Sequence, residues 1–245
     1  MARYKLTLEY DGAGFVGWQR QENGLSVQQA LEEAIEKFCG ERVGATGAGR
    51  TDAGVHALGQ VAHIDLAHPR PPDELMGAVN HHLRPAPIAV VAVEEVGDDF
   101  HARFSAVERL YRYRIVNRRA PPVLDRGRAW WVPAALDGEA MAEAAQALVG
   151  DHDFSTFRAS DCQASSPRRT LDSLDVERHG DEIAVTARSR SFLRHQVRNM
   201  VGSLKLVGEG KWRPDDLAAA LAARDRGAGG PAAPPEGLYL VAVRY

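Results

Sequence analysis

The chain has 245 residues, 44% of them hydrophobic and 26% charged, with a formal net charge of −3. That is enough apolar material for a core in one large or two small domains, and too little basic excess for a protein that coats nucleic acid indiscriminately. The sequence has no run of eighteen apolar residues, no basic-then-apolar leader and no CxxC partner for Cys39 or Cys162, so the expectation is a cytoplasmic protein without a membrane span, a disulfide framework or a zinc site.

In chain order, the alternation of Tyr4, Leu6, Leu8 and Tyr10 predicts a first strand that ends at the Asp11-Gly12 turn. A loop carrying Gly17-Trp18-Gln19-Arg20-Gln21 follows. Ser26 then opens a helix as the first half of an S-x-x-Q capping box with Gln29, and Val27, Leu31, Ala34, Ile35 and Phe38 repeat at helical spacing up to Gly40. Residues 59–66 alternate Val61, His63 and Asp65 on one face with Ala62, Ile64 and Leu66 on the other, which predicts a strand. A helix from Pro72 to Leu83 is stopped by Pro85, and Ile88 to Val93 form a β-branched strand.

The alternation of strands and helices returns after residue 105. Leu110 to Val116 predict a strand, and Asp137 to Val149 a helix with Ala140, Met141, Ala144 and Leu148 inward, closed by Gly150. Leu171 to Arg178 and Ile183 to Ser189 read as strands around a turn at Gly180. Leu193 to Val207 carry an apolar helical stripe through Val197, Val201 and Leu204. Pro214 to Arg224 form a further helix, with Pro214 at its first position. A loop rich in Gly, Ala and Pro, Arg226 to Gly237, leads to a last strand, Leu238 to Val243. The expectation is an α+β protein of two similar domains, 1–104 and 105–245, each a mostly antiparallel sheet with helices on one face.

The stretch GATGAGRTDAGVHALGQVAH, residues 44–63, places a single acid, Asp52, between an arginine and two glycines before its strand begins. Gly44 to Thr51 fall one substitution short of a phosphate cradle, with Arg50 in place of the lysine. Such a cradle opens a long helix, and strand alternation follows here instead, which argues against nucleotide hydrolysis. The dinucleotide pattern fails because Asp52 occupies the third glycine position. None of the nine histidines has metal-ligand spacing. Asp52 is thus either a turn residue bonding its own backbone or a reactive carboxylate. Arg50 and the glycines at 47, 49 and 54 favour the second reading, because they leave a small-residue loop that a planar ligand can approach closely. Downstream, HARFSAVERLYRYRIVNRR holds six arginines against Glu108 alone, interleaved with Phe104, Tyr111 and Tyr113. Such a basic and aromatic stripe suits RNA. A pure RNA-binding module is the competing expectation, although it has no use for an acid in its groove.

The words GRTDAGVHA, DDFHARFSA, YRYRI, FLRHQVRNMVG and EGLYLVAV together resemble the TruA-type tRNA pseudouridine synthases, and the likeness runs over essentially the whole chain. The resemblance implies isomerisation of uridine to pseudouridine at positions 38, 39 and 40 in the anticodon stem and loop of tRNA. It also implies an RNA-binding cleft between the two domains and a homodimer with no metal, nucleotide or other cofactor. It places the catalytic aspartate, the nucleophile or the base of an elimination, on Asp52, and substrate-binding residues on Tyr111 and Arg198; Arg50, in the same loop as the aspartate, is expected to bind substrate with them. Arg198 is the implied basic partner that favours the ionised carboxylate. Tyr111 can stack on the extruded uracil. Arg20, Arg112 and Arg114 are further expected on the RNA backbone. Gln196 departs from the pattern, standing where an apolar residue is expected.

Overall fold

The computed structural model describes all residues, Met1–Tyr245. The chain divides into two compact units, Met1–Val107 with Tyr239–Tyr245, and Glu108–Leu238. A cut between 104 and 105 keeps the last strand with the second half. The structure returns it to the first, where Tyr239 and Leu240 pair in parallel with His56 and Ala57.

The first unit contains β1 (Ala2–Tyr10), α1 (Val27–Cys39), β2 (Thr46–Gly47), β3 (His56–Leu66), α2 (Pro72–Leu83) and β4 (Ile88–Val96). Antiparallel pairing of β1 with β4 and β3, and of β2 with β3, builds its sheet. Ala2, Tyr4, Leu6, Leu8 and Tyr10 are buried while the alternate side chains of β1 are not, as a period of two requires. α1 packs on α2, and α2 on β4. On α1 the side chain of Ser26 accepts the Gln29 N–H at 3.1 Å. The return half of the predicted capping box is absent, because Gln29 instead donates to Glu33 at 2.8 Å. β3 begins three residues before the predicted strand. The added residues are held by pairing, Ala57 with Tyr10 of β1 and His56 and Ala57 with Tyr239 and Leu240.

The second unit contains β5 (Glu108–Val116), β6 (Trp130–Trp131), α3 (Gly138–Ala145), β7 (Gly150–Asp153), β8 (Arg168–His179), β9 (Glu182–Ser189), α4 (Gln196–Gly208) and α5 (Pro214–Ala223), ahead of the closing strand β10 (Leu238–Arg244). Its sheet runs β5-β9-β8-β7 in antiparallel order, with β6 beside β5 in parallel. Tyr111, Tyr113 and Ile115 share a buried face with Ile183, Val185 and Ala187. The helices lie against this sheet, α3 on β8 and α4 on β5.

The helix expected over 137–149 is shorter, with a 3₁₀ turn at Gln146–Leu148 after α3. Met141, Ala144 and Leu148 are buried as expected, but Ala145 takes the inward position expected of Ala140. α4 begins at Gln196 rather than Leu193, because residues 193–196 close a turn: the Gln196 N–H donates to the Leu193 carbonyl at 3.1 Å and its side-chain oxygen accepts the Leu193 N–H at 2.8 Å. A leucine at 196 has no such acceptor, which accounts for the polar residue in a buried place. His195, at φ 62, completes the turn.

The segment read as a plain loop, 226–237, is strapped to α4. The Gly230 N–H donates to Ser203 at 2.9 Å, Ala233 donates to the Arg198 carbonyl at 3.0 Å, and Arg226 donates to Asn199 at 3.2 Å. At Gly202 a Cβ would lie 1.7 Å from the Pro231 carbonyl oxygen, so only glycine lets the strap lie on the helix. Gly202→Ala is expected to cost about 2 kcal/mol or more through forced backbone displacement, read as a lower urea midpoint.

In the first unit, His63 accepts the Ala102 N–H on Nδ1 at 3.2 Å. Burial, with help from His101 and Arg3, lowers its pKa from 6.5, against the opposing pull of Asp65. The unfolded chain therefore takes up this proton first. His63's contribution is complete above pH 6.5 and is lost as the pH falls towards the lower folded value. The urea midpoint should fall over that acid window, and more steeply in the wild type than in His63→Gln, which keeps an acceptor for Ala102.

Candidate active site

Asp52 sits where two loops of the first unit run side by side. The 12–18 loop leaves β1, and residues 48–55 lead into β3. The Trp18 N–H donates to the Thr51 carbonyl at 3.0 Å, and Gly17 and Asp52 form an isolated antiparallel bridge. Gly17 has φ 111, and a Cβ there would stand 2.7 Å from the Thr51 oxygen, so the two backbones meet only because residue 17 is glycine. The far side of the 12–18 loop is fastened to the start of α1: Val27 donates to the Gly17 carbonyl at 3.1 Å and Gln28 to the Trp18 carbonyl at 2.9 Å. The Asp52 carbonyl accepts the Val55 N–H at 3.1 Å, which closes the turn.

Asp52 is half-buried, whereas Arg50 is exposed. Thr51 between them faces inward, with its hydroxyl 2.7 Å from the Tyr10 phenol oxygen, and the Gln60 amide donates to the Gly49 carbonyl at 2.9 Å. Arg50 makes no ion pair within the chain, so its guanidinium is available to an anion. The nearby His56 ring is buried. Its Nδ1 accepts the Gly12 N–H at 3.0 Å and its face stacks on Tyr239, with centroids 4.8 Å apart. No group of three or more His, Cys, Asp or Glu side chains is arranged to hold a metal ion, and no helix is long and apolar enough to cross a membrane.

Arg20 turns back on its own unit. Its guanidinium donates to Glu32 at 2.9 and 3.2 Å, and Glu32 also accepts the Ala45 N–H at 3.0 Å and the Gln28 amide at 2.9 Å. Glu32 thus ties the Trp18 loop, α1 and the start of the glycine-rich stretch together. In the sequence it looks like one more solvent-facing acid on an amphipathic helix.

In the second unit, Tyr111 points to the helix-covered face of β5. It is 8% exposed and meets Phe192 edge-on at 5.1 Å. Tyr113, two residues on, is fully buried and donates to the Pro234 carbonyl at 2.7 Å. Burial pushes its phenol pKa far up, Glu236 adds to the rise and Arg198 opposes it. Arg198 lies in the first turn of α4, half-buried, and its Nε donates to the Ala233 carbonyl at 2.8 Å. With Ala233 bonded back to the Arg198 carbonyl, the strap fixes both the main chain and the side chain of this arginine.

Strand alternation puts Arg112 and Arg114 on the sheet face opposite Tyr111. Arg112 is exposed and makes no ion pair. Arg114 is held by Glu182 at 2.8 and 3.0 Å and by Asp125 at 3.0 Å. The stripe that reads as continuous in sequence is therefore divided between two faces, and part of it is neutralised.

A family model for tRNA pseudouridine synthase matches residues 7–105 and 144–245. A tRNA pseudouridine synthase A from Paramagnetospirillum magneticum is 65% identical over all 245 residues, which span 96% of that relative. Proteins of the same name from Parvibaculum lavamentivorans and Rhodospirillum rubrum are each 62% identical over the whole chain, which covers 100% and 88% of them. The matched segments contain Asp52, Arg198 and β9, the strand that pairs with β5, whereas Tyr111 itself falls in the stretch between them. On this full-length likeness, the chain belongs to the tRNA pseudouridine synthases, a family of isomerases.

Proposed function

We propose that the protein converts uridines 38, 39 and 40 of the tRNA anticodon stem and loop to pseudouridine, with Asp52 as the group that starts the chemistry. The observation that carries this reading is the placement of Asp52: a half-buried carboxylate in a backbone-braced turn, two residues after the exposed Arg50, in a chain whose relatives bear the synthase name along its full length.

The reaction is an isomerisation. The N1–C1′ bond breaks, the uracil turns, a C5–C1′ bond forms, and the proton lost from C5 is balanced by one gained at N1. No external redox partner or group donor is needed. A carboxylate serves as a nucleophile at C1′ or C6, or as the base for an elimination, and each of these roles requires it ionised. Arg198, held by its strap, supplies a cation for the same substrate, and Arg50 supplies one for the adjoining backbone. A uridine must leave its stack first, at a cost of a few kcal/mol, and stacking on Tyr111 returns about 1 to 3 kcal/mol of it. Arg112 is free for a phosphate as it stands, whereas Arg20 and Arg114 would have to exchange carboxylates for phosphate. We further read the enzyme as a homodimer acting in the cytoplasm.

Asp52→Ala should slow pseudouridine formation by at least about 10³-fold while tRNA affinity stays within a few-fold, as read by mass mapping of tRNA incubated with the purified protein. An equal loss of binding would remove Asp52 from the chemistry. For Tyr111, replacement by Phe should preserve most of the rate and replacement by Ala should lose about 1 to 3 kcal/mol of transition-state stabilisation. Equal losses in the two variants would shift the role from the ring to the hydroxyl.

A further inference from the structure

Beneath the Asp52 turn lies a chain of three buried polar side chains for which the reaction scheme above has no use. Tyr10 ends β1, Gln60 lies within β3 and Thr51 immediately precedes Asp52; all three are buried. The Tyr10 phenol and the Thr51 hydroxyl are 2.7 Å apart, and either one can donate. The Gln60 amide donates to the Gly49 carbonyl at 2.9 Å and reaches the Tyr10 oxygen at 3.5 Å. Positions 49 and 51 are thereby held from below, which leaves Arg50 facing out.

The backbone carries a matching feature. The register between β1 and β3 shifts between Leu8 and Tyr10, an irregularity that re-aims the last side chain of the strand. Thr51 is also fastened through its carbonyl, which accepts the Trp18 N–H at 3.0 Å. It is thus held at side chain and main chain together, one residue before the carboxylate. Burying three polar groups costs stability unless each is satisfied, so a network of this kind under one turn specifies the geometry of that turn.

We propose that Tyr10, Gln60 and Thr51 form a hydrogen-bonded clamp that positions the Asp52 carboxylate for attack, making them positioning residues of the isomerisation. The proposal rests on the reading of Asp52 as the reacting group. It assigns Tyr10 no proton transfer: burial pushes its phenol up to about 12, so it remains a neutral hydroxyl under working conditions.

The test compares Tyr10→Phe, Thr51→Val and Thr51→Ser with the wild type. Single-turnover pseudouridine formation is measured with protein in excess over a tRNA transcript, and tRNA affinity is measured separately. Tyr10→Phe and Thr51→Val should each react about tenfold more slowly, since a small displacement of a reacting group is costly, with affinity changed by less than about twofold. Thr51→Ser, which keeps the hydroxyl, should recover to within about threefold of wild type. The double variant Tyr10→Phe with Thr51→Val should be no slower than the slower single variant, because both delete one shared bond. The pH dependence of the rate in Tyr10→Phe should match the wild type.

Wild-type rates in both deletion variants, a serine variant as slow as the valine one, a loss confined to affinity, or an altered pH profile in Tyr10→Phe would each overturn the clamp. If Thr51→Val does not fold, Tyr10→Phe and Thr51→Ser still decide the question. A wild-type protein that leaves the transcript unmodified would overturn the functional reading itself, an outcome separate from active wild type with unimpaired variants.

Discussion

The antiparallel contact between residues 17–18 and 51–52 is the constraint on which the candidate site depends. A carboxylate on an exposed turn would sample many positions, and its reaction with one atom of a sugar or base would carry that entropy cost each time. Here the turn is bonded on one flank through Trp18 and Gly17, and the loop that holds it is bonded in turn to the first residues of α1. Glu32 draws Arg20, Gln28 and Ala45 into the same brace. The rigidity of a helix is thereby passed through main-chain hydrogen bonds, and through the close approach that Gly17 allows, to a residue that belongs to no regular element.

The second unit applies the same economy to Arg198. An arginine in the first turn of a helix usually extends into solvent. This one is turned back by the Ala233 carbonyl, and the strap that supplies that carbonyl is seated by Gly202 and by Ser203. The Gly, Ala and Pro content of 226–237, which suggests a flexible connector, is what allows close approach to α4 instead. On β5 the alternation of the strand separates two kinds of chemistry: the tyrosines enter the helix-covered face, and the arginines take the other, where Glu182 and Asp125 claim Arg114. A run of residues that looks like one basic and aromatic surface is in fact two surfaces back to back.

Much of the architecture was legible in the amino-acid sequence because it rests on local periodicity. The alternation of Tyr4 to Tyr10, the Ser26 cap, the apolar stripe of α1, Pro72 and Pro214 at helix starts and the Gly180 turn each specify an element from its own residues. The GRTDAGVHA word singled out Asp52 for a similar reason: its unusual neighbours are adjacent in the chain. The elements that were misjudged are those where a distant partner decides. β3 starts early because Tyr10 and the last strand pair with its first residues, α4 starts late because Gln196 bonds back to Leu193, and β10 leaves the second half of the chain to pair with His56 and Ala57.

By itself, then, the sequence determined the α+β class, most of the helices and strands, and the identity of the reactive carboxylate candidate, since each depends on spacing within a few residues. Only the tertiary structure decided which groups brace that carboxylate. Tyr10, Gln60 and Glu32 sit in ordinary strand and helix patterns and acquire a role solely because folding brings their polar atoms to within hydrogen-bond reach of residues 45–51. Hydrogen bonds act over about 3 Å, and no pattern in a linear chain records which distant atoms will come that close.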